Sequence, residues 1–207
     1  MGLLKRHDSG KGGRPERVDH WYVALVLILI CATIAAFGDG GREVLKYDRL
    51  AISHGEYWRL FTGHLAHLGF SHLTLNLAGL VLTWLLVGRN YSISRWLVVF
   101  LISVLIISAG FWFVDKNLLW YVGLSGVLHG LLLAGAIEGL KSLPAESVVI
   151  CVLVIGKLTY EQLVGPLPGS ESTSGGDVVV NAHFFGAIGG LISAGFFWRR
   201  VGTGSPI

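Results

Sequence analysis

Apolar runs of bilayer length recur along this chain, with only short polar gaps between most of them. They cover about 21–37, 66–87, 95–114, 123–140, 147–164 and 178–198. A spanning helix needs about 20 apolar residues, within a range of roughly 17–25. Lipid offers the backbone no hydrogen-bond partner, so a run that crosses must be a helix bonded within itself. Charged residues make up 14% of the chain, against about 25% in an average soluble domain. That is too little polar surface to cover a water-exposed globule. The expectation is an all-α polytopic membrane protein: one bundle of six transmembrane helices over 21–198. A disordered cytoplasmic tail (1–20) precedes it and a short cytoplasmic tail (199–207) follows.

The gaps carry the topology. Residues 1–20 hold Lys5, Arg6, Lys11, Arg14 and Arg17 among glycines and Pro15, a composition that does not bury a core. The first run has a basic segment before it and Ala32, Ala35 and Ala36 near its end, so a signal peptide competes with a retained first span. Residues 38–62 mix charges with Tyr47, Tyr57, Trp58 and Phe61, as suits a segment at the membrane interface. Residues 165–177, rich in Pro, Gly and Ser, read as a loop. With six spans, ten Lys and Arg fall on the side of the termini and five on the other, counting the gaps and excluding Lys157 within the fifth run. The excess places both termini in the cytoplasm. The basic residues are scattered through tails and gaps, not gathered on one face, and this excludes a nucleic-acid partner.

Polar side chains within spans are expensive and mark function by default. His72, Asn76, Ser125 and His183 stand on the second, fourth and sixth runs, each a few residues past the outer end. At a rise of about 1.5 Å per residue, all four lie at one depth, roughly 5–15 Å below the boundary. His72 and Asn76 are spaced i, i+4 and share a helix face. Ser125 lies within Gly123-Leu124-Ser125-Gly126, where the glycines free the backbone for close approach. Gly126, Gly130 and Ala134 form a row of small residues at intervals of four, and Gly186, Gly190 and Ala194 form another. Such rows let two helices pack with their backbones in contact. Packed together, they bring Ser125 Oγ within reach of His183, the minimum apparatus for acyl transfer.

Other candidates have plainer readings. His129, four residues after Ser125, suits packing or a hydrogen bond within the bundle better than a role as base. His64, His67 and His72 lack a zinc spacing such as His-Glu-x-x-His, so no metal and no cofactor is expected; His64 and His67 order the mouth of the second span. Lys157 and Glu161 at i, i+4 form an ion pair, which suits a structural bend better than the binding of a polar substrate head. Glu138 snorkels to the interface, and Trp58 and Arg59 either anchor the interfacial segment or touch substrate. Cys31 and Cys151 sit in apolar runs as small hydrophobes.

Taken in order, Trp58-Arg59, His72-x-x-x-Asn76, Gly123-x-Ser125-Gly126 and Ala182-His183-x-x-Gly186-x-x-x-Gly190 resemble the rhomboid family of intramembrane serine proteases. Gly123 to Gly130 and Lys157 to Gln162 are similar to its rhombosortase branch. The resemblance implies a Ser125–His183 dyad without a carboxylate. It implies an oxyanion hole from His72, Asn76 and the Ser125 N–H, with Gly123, Gly126, Gly186 and Gly190 in support. It implies substrates that are membrane-anchored proteins with a C-terminal Gly-Gly signal, an apolar helix and a basic end. It also implies a bacterial inner-membrane location with the site open to the periplasm, and an acyl-enzyme resolved by water or by an amine. Two other readings are a non-catalytic rhomboid-like protein that escorts client helices and a small transporter. The latter usually shows paired repeats of broken helices, and no internal repeat is present.

Overall fold

A computed structural model of the protein describes residues 20–201. The tail expected over 1–20 lies almost wholly outside the described residues, as do residues 202–207 of the C-terminal tail. The described chain is helical almost throughout. In order run α1 (Trp21–Ala36), α2 (Gly38–Leu45), β1 (Tyr47–Asp48), α3 (Arg49–Ser53), α4 (Arg59–Thr62), α5 (Phe70–Val87) and α6 (Ile93–Ala109). A π-turn (Gly110–Val114) extends α6. Then follow β2 (Trp120–Tyr121), α7 (Ser125–Gly139), α8 (Pro144–Leu163), α9 (Ser170–Ser174) and α10 (Val180–Val201). The two short strands pair antiparallel, Tyr47 with Tyr121 and Asp48 with Trp120.

Among the described residues, three stretches are long and apolar enough to cross a membrane: Phe70–Asn90, Ile93–Val114 and Val180–Trp198. The pair α1 and α2 meets the same criterion as a unit but bends by 114° after Ala36. Gly38, at φ 60°, makes that bend. The α7 helix has 15 residues, or about 22 Å, less than the roughly 30 Å of a hydrocarbon core. The α8 helix has 20 residues but includes Glu146, Lys157 and Glu161.

Burial is arranged for lipid. Leu82 and Leu85 on α5, Leu101 and Leu105 on α6 and Val152 and Leu153 on α8 are exposed. Contiguous apolar surface of that extent is rare on a soluble monomer. The inverse holds at the centre, where ten of the fifteen residues of α7 are buried. The α7 helix packs along α10 and touches α5, α6 and α8.

The small-residue rows explain that placement. A Cβ added at Gly126 would lie 2.8 Å from the Ala182 carbonyl oxygen, and one at Gly130 would lie 2.5 Å from the Gly186 carbonyl. A Cβ at Gly186 would strike the Gly126 carbonyl, and one at Gly190 that of Gly130. Here backbone meets backbone, and no flexible side chain can yield. Ser103 of α6 fills the third side, against Gly130 and Gly189.

The end of the bundle that carries Ser125 is tied by the segment expected at the interface. The Arg49 guanidinium donates to the carbonyls of Leu118 (2.9 Å), Trp112 (3.3 Å), Asp115 (2.9 Å) and Phe111. These carbonyls belong to the end of α6 and the turn after it, where intrahelical donors run out. Asp115 in turn accepts from Asn181 Nδ2 at 2.7 Å, at the start of α10. Arg59 is buried, paired with Glu56 at 2.6 Å, and donates to the Glu43 and Lys46 carbonyls. Cys31 and Cys151 are free thiols.

The contact predicts a sharp contrast between two glycines. Gly186→Val should destabilise the protein in detergent by about 3 kcal/mol or more, as overpacking against rigid atoms does. Gly156→Ala, where nothing lies within 4 Å of the new Cβ, should be neutral or stabilise by up to about 1 kcal/mol. Thermal unfolding of the two variants checks this.

Candidate active site

Ser125 is the first residue of α7. The turn before it is built by Gly123, whose φ of 133° belongs to the region that side chains avoid. A Cβ there would also meet His72 Cε1 at 2.9 Å. Tyr121 Oη donates to the Gly123 carbonyl at 2.6 Å, and the Gly123 N–H donates to the Gly63 carbonyl at 3.0 Å. The loop carrying Ser125 is thus bound to the segment ahead of α5. Within that segment, Gly63 lies so close to Tyr47 that an added Cβ would stand 2.5 Å from its nitrogen.

Ser125 and His183 come together across α7 and α10, with Oγ to Nε2 at 3.0 Å. His183 is buried. Its other nitrogen, Nδ1, faces Glu161 Oε2 at 2.9 Å. A carboxylate only accepts, so Nδ1 carries the proton and Nε2 is left to accept from the Ser125 hydroxyl. The dyad expected to lack a carboxylate therefore has one against it.

The ion pair expected within α8 is present, with Lys157 Nζ 2.6 Å from Glu161 Oε1. Its geometry goes further than an isolated pair, because the second carboxylate oxygen is spent on another helix. Lys157 Nζ also lies 3.4 Å from His183 Nδ1; with a proton on each, that is a proximity and not a bond. Ser147, Val154, Leu158 and Glu161 make up the buried face of α8. Their spacing of seven, four and three follows the helical period and carries Glu161 inward.

His72 and Asn76 sit on α5 and line the same cleft. The Leu68 N–H donates to His72 Nδ1 at 3.3 Å, which places the ring proton on Nε2, the atom beside Gly123. Asn76 Nδ2 donates to the His72 carbonyl at 3.0 Å, and its amide has a second N–H to offer. The cleft has a volume of about 1150 Å³ and is bounded by α5, α7, α8 and the α9 segment. Gly126, Gly186 and Gly190 stand behind it in the helix contact, and Gly123 forms its turn.

His129 donates from Nδ1 to the Ser125 carbonyl at 2.7 Å and stacks on the His183 ring, centroids 4.3 Å apart. His64 is buried and bonds Ser108 Oγ through Nε2 at 3.1 Å. His67 meets the His72 ring edge to face at 5.2 Å. Burial pushes His64 down to about 3, and His67 is buried beside it, so both are spacers at the mouth of α5. His129, Glu161 and His183 offer donor atoms within 4.8 Å of one another, a spacing that could hold a metal ion. A cation there would face the Lys157 ammonium and displace the bonds just described, so the donor set fits a hydrogen-bonded ionic cluster better than a metal.

Sequence reasoning named Ser125, His183, His72 and Asn76, and the structure brings the four around one cleft. It missed the reach of Glu161 to His183. The signal available was the presence of a carboxylate in an apolar run at a depth near that of His183.

Comparison with known proteins bears on the family. The rhomboid domain model matches residues 54–200. The protein YdcA of Bacillus subtilis (strain 168) is 32% identical over 90 residues, which are 44% of this chain and 45% of YdcA. Rhomboid protease GluP of the same organism is 29% identical over 215 residues, covering 96% of this chain and 41% of GluP. The chain thus spans less than half the length of the curated relatives it matches. The family match takes in α5 to α10, and with them every residue of the cleft named above: the chain belongs to the rhomboid family, whose members are multi-pass membrane proteins.

Proposed function

We propose that this protein is an intramembrane serine endopeptidase. The observation that carries the reading is the 3.0 Å approach of Ser125 Oγ to His183 Nε2 across two helices locked by glycine contacts. Ser125 Oγ attacks the scissile carbonyl carbon while His183 Nε2 takes its proton. The C–N bond then breaks, and the same proton passes to the departing amine. A water molecule, or an incoming amine, attacks the acyl-enzyme and returns Ser125 to its hydroxyl.

The oxyanion needs donors set in place beforehand, each worth about 3–4 kcal/mol in a site of this kind. The backbone N–H of Ser125 opens α7, where a helix has no internal acceptor for it. His72 Nε2–H and the free N–H of Asn76 face the same cleft from α5. Both side chains are neutral, so burying them is less costly than burying a charge.

The substrate is a membrane-anchored protein. The lower wall of the cleft, with Leu75, Leu82, Leu128 and Leu132, is apolar as a helix leaving lipid requires. The polar rim formed by 167–177 admits water. On the resemblance of Gly123–Gly130 and Lys157–Gln162 to the rhombosortase branch, the cut falls near a C-terminal Gly-Gly signal followed by an apolar helix and a basic end. The enzyme then sits in the bacterial inner membrane with six spans, both termini in the cytoplasm and the cleft open to the periplasm.

Reconstitution of the full chain in liposomes with a tethered substrate of that form tests the reading. Ser125→Ala and His183→Ala should each cut cleavage by about 10⁴-fold or more. Equal cleavage by wild type and both variants ends it. Wild type that binds the substrate helix and never cuts would point to an escort role.

The oxyanion donors give a second expectation. Asn76→Ala should lower kcat by about 10²–10³-fold with KM changed little, as loss of a single donor does. A rise in KM at constant kcat would assign Asn76 to ground-state binding. Mass spectrometry of the new C-terminus, acid or amide, separates hydrolysis from transfer. Replacing Gly-Gly by Val-Val in the substrate should abolish cleavage if the signal is read.

A further inference from the structure

We propose that Glu161 is a positioning residue for His183 and that Lys157 is its resident counter-ion, so that the chain holds a Ser125–His183–Glu161 triad neutralised from within α8. The inference rests on the protease reading and deepens it. Both oxygens of Glu161 are committed: Oε2 to His183 Nδ1 at 2.9 Å and Oε1 to Lys157 Nζ at 2.6 Å. The Glu161 side chain is 2% exposed and that of His183 7%. A carboxylate so buried, with a structural duty alone, needs only its ammonium. This one also spans to another helix and takes up the single nitrogen that decides the tautomer of the base.

The consequence for reaction is direct. With Nδ1–H donated to Glu161, Nε2 is the acceptor that the Ser125 proton needs. When that proton moves to Nε2, the imidazolium forms beside an ionised carboxylate, which stays ionised throughout. Without Lys157, the resting site would hold a bare anion among apolar helices, a costly state. The groups facing His183 are Glu161 and Lys157 from α8, Ser125 and the stacked His129 from α7, and His72 from α5. Of these, only Glu161 stabilises positive charge on the ring, while Lys157 opposes it.

The experiment uses the full chain in detergent and a fluorophosphonate that labels Ser125, read alongside cleavage of the tethered substrate. Glu161→Gln keeps the shape but can offer an amide N–H to Nδ1, which turns the Nε2 proton toward Ser125. It should slow labelling and kcat by about 10²-fold or more, with KM within about twofold. Glu161→Asp, which keeps the charge and loses the length, should retain more activity than Gln; a merely structural role predicts the reverse. The acid limb of the labelling rate should move to lower pH in Glu161→Gln and to higher pH in Lys157→Met. If Glu161→Gln does not fold, the Asp variant and the limb in Lys157→Met still decide. Gln matching wild type, Gln exceeding Asp, or an unmoved limb overturns the proposal. Failure of wild-type Ser125 to label overturns the protease reading itself and this inference with it.

Discussion

The contact between α7 and α10 sets everything else. Carbonyls of one helix lie where side chains of the other would be, at Gly126, Gly130, Gly186 and Gly190. In lipid there is little hydrophobic drive between helices, and close packing of this kind supplies the attraction instead. Its value for function is precision. Two helices whose backbones touch cannot slide by a fraction of a turn without collision. A hydroxyl at the head of one and an imidazole near the head of the other are then held at a fixed separation.

A second set of constraints acts at the rim beside Ser125. The segment between α1 and α5 is short in regular structure but dense in hydrogen bonds. Arg49 gathers the free carbonyls at the end of α6, and Asp115 passes the linkage to Asn181 on α10. Gly63 and Gly123 join the same segment to the serine loop. His72 and Ser125 therefore rest on a common platform, although one belongs to α5 and the other to α7. The rim does with polar bonds what the glycine contact does with packing.

Much of this was readable from residue order. Small residues at intervals of four announce a close helix pair, because the interval is the helical repeat and smallness is the condition for contact. His72 and Asn76 share a face for the same reason. What could not be read was the rotation of α8 about its own axis relative to α10. Lys157 and Glu161 are neighbours on any helix, so their pairing was legible; the reach of Glu161 to His183 depends on tertiary phase, which no local spacing encodes. The end of the first run at 37 was legible, but the 114° bend that Gly38 makes there was not. The π-turn after α6 is held by Arg49 bonds that join residues more than 60 positions apart.

The pairing of Lys157 with Glu161 inside one helix has a bearing on biogenesis. A segment entering the bilayer alone carries whatever charge its side chains bear, and a lone ionised group near the middle resists lateral release. One turn apart, an ammonium and a carboxylate can cancel each other before any other helix has arrived. The apolar run 147–164 is thereby able to partition as a neutral unit. The carboxylate is then ready to accept a second partner once α10, made last, docks against the bundle.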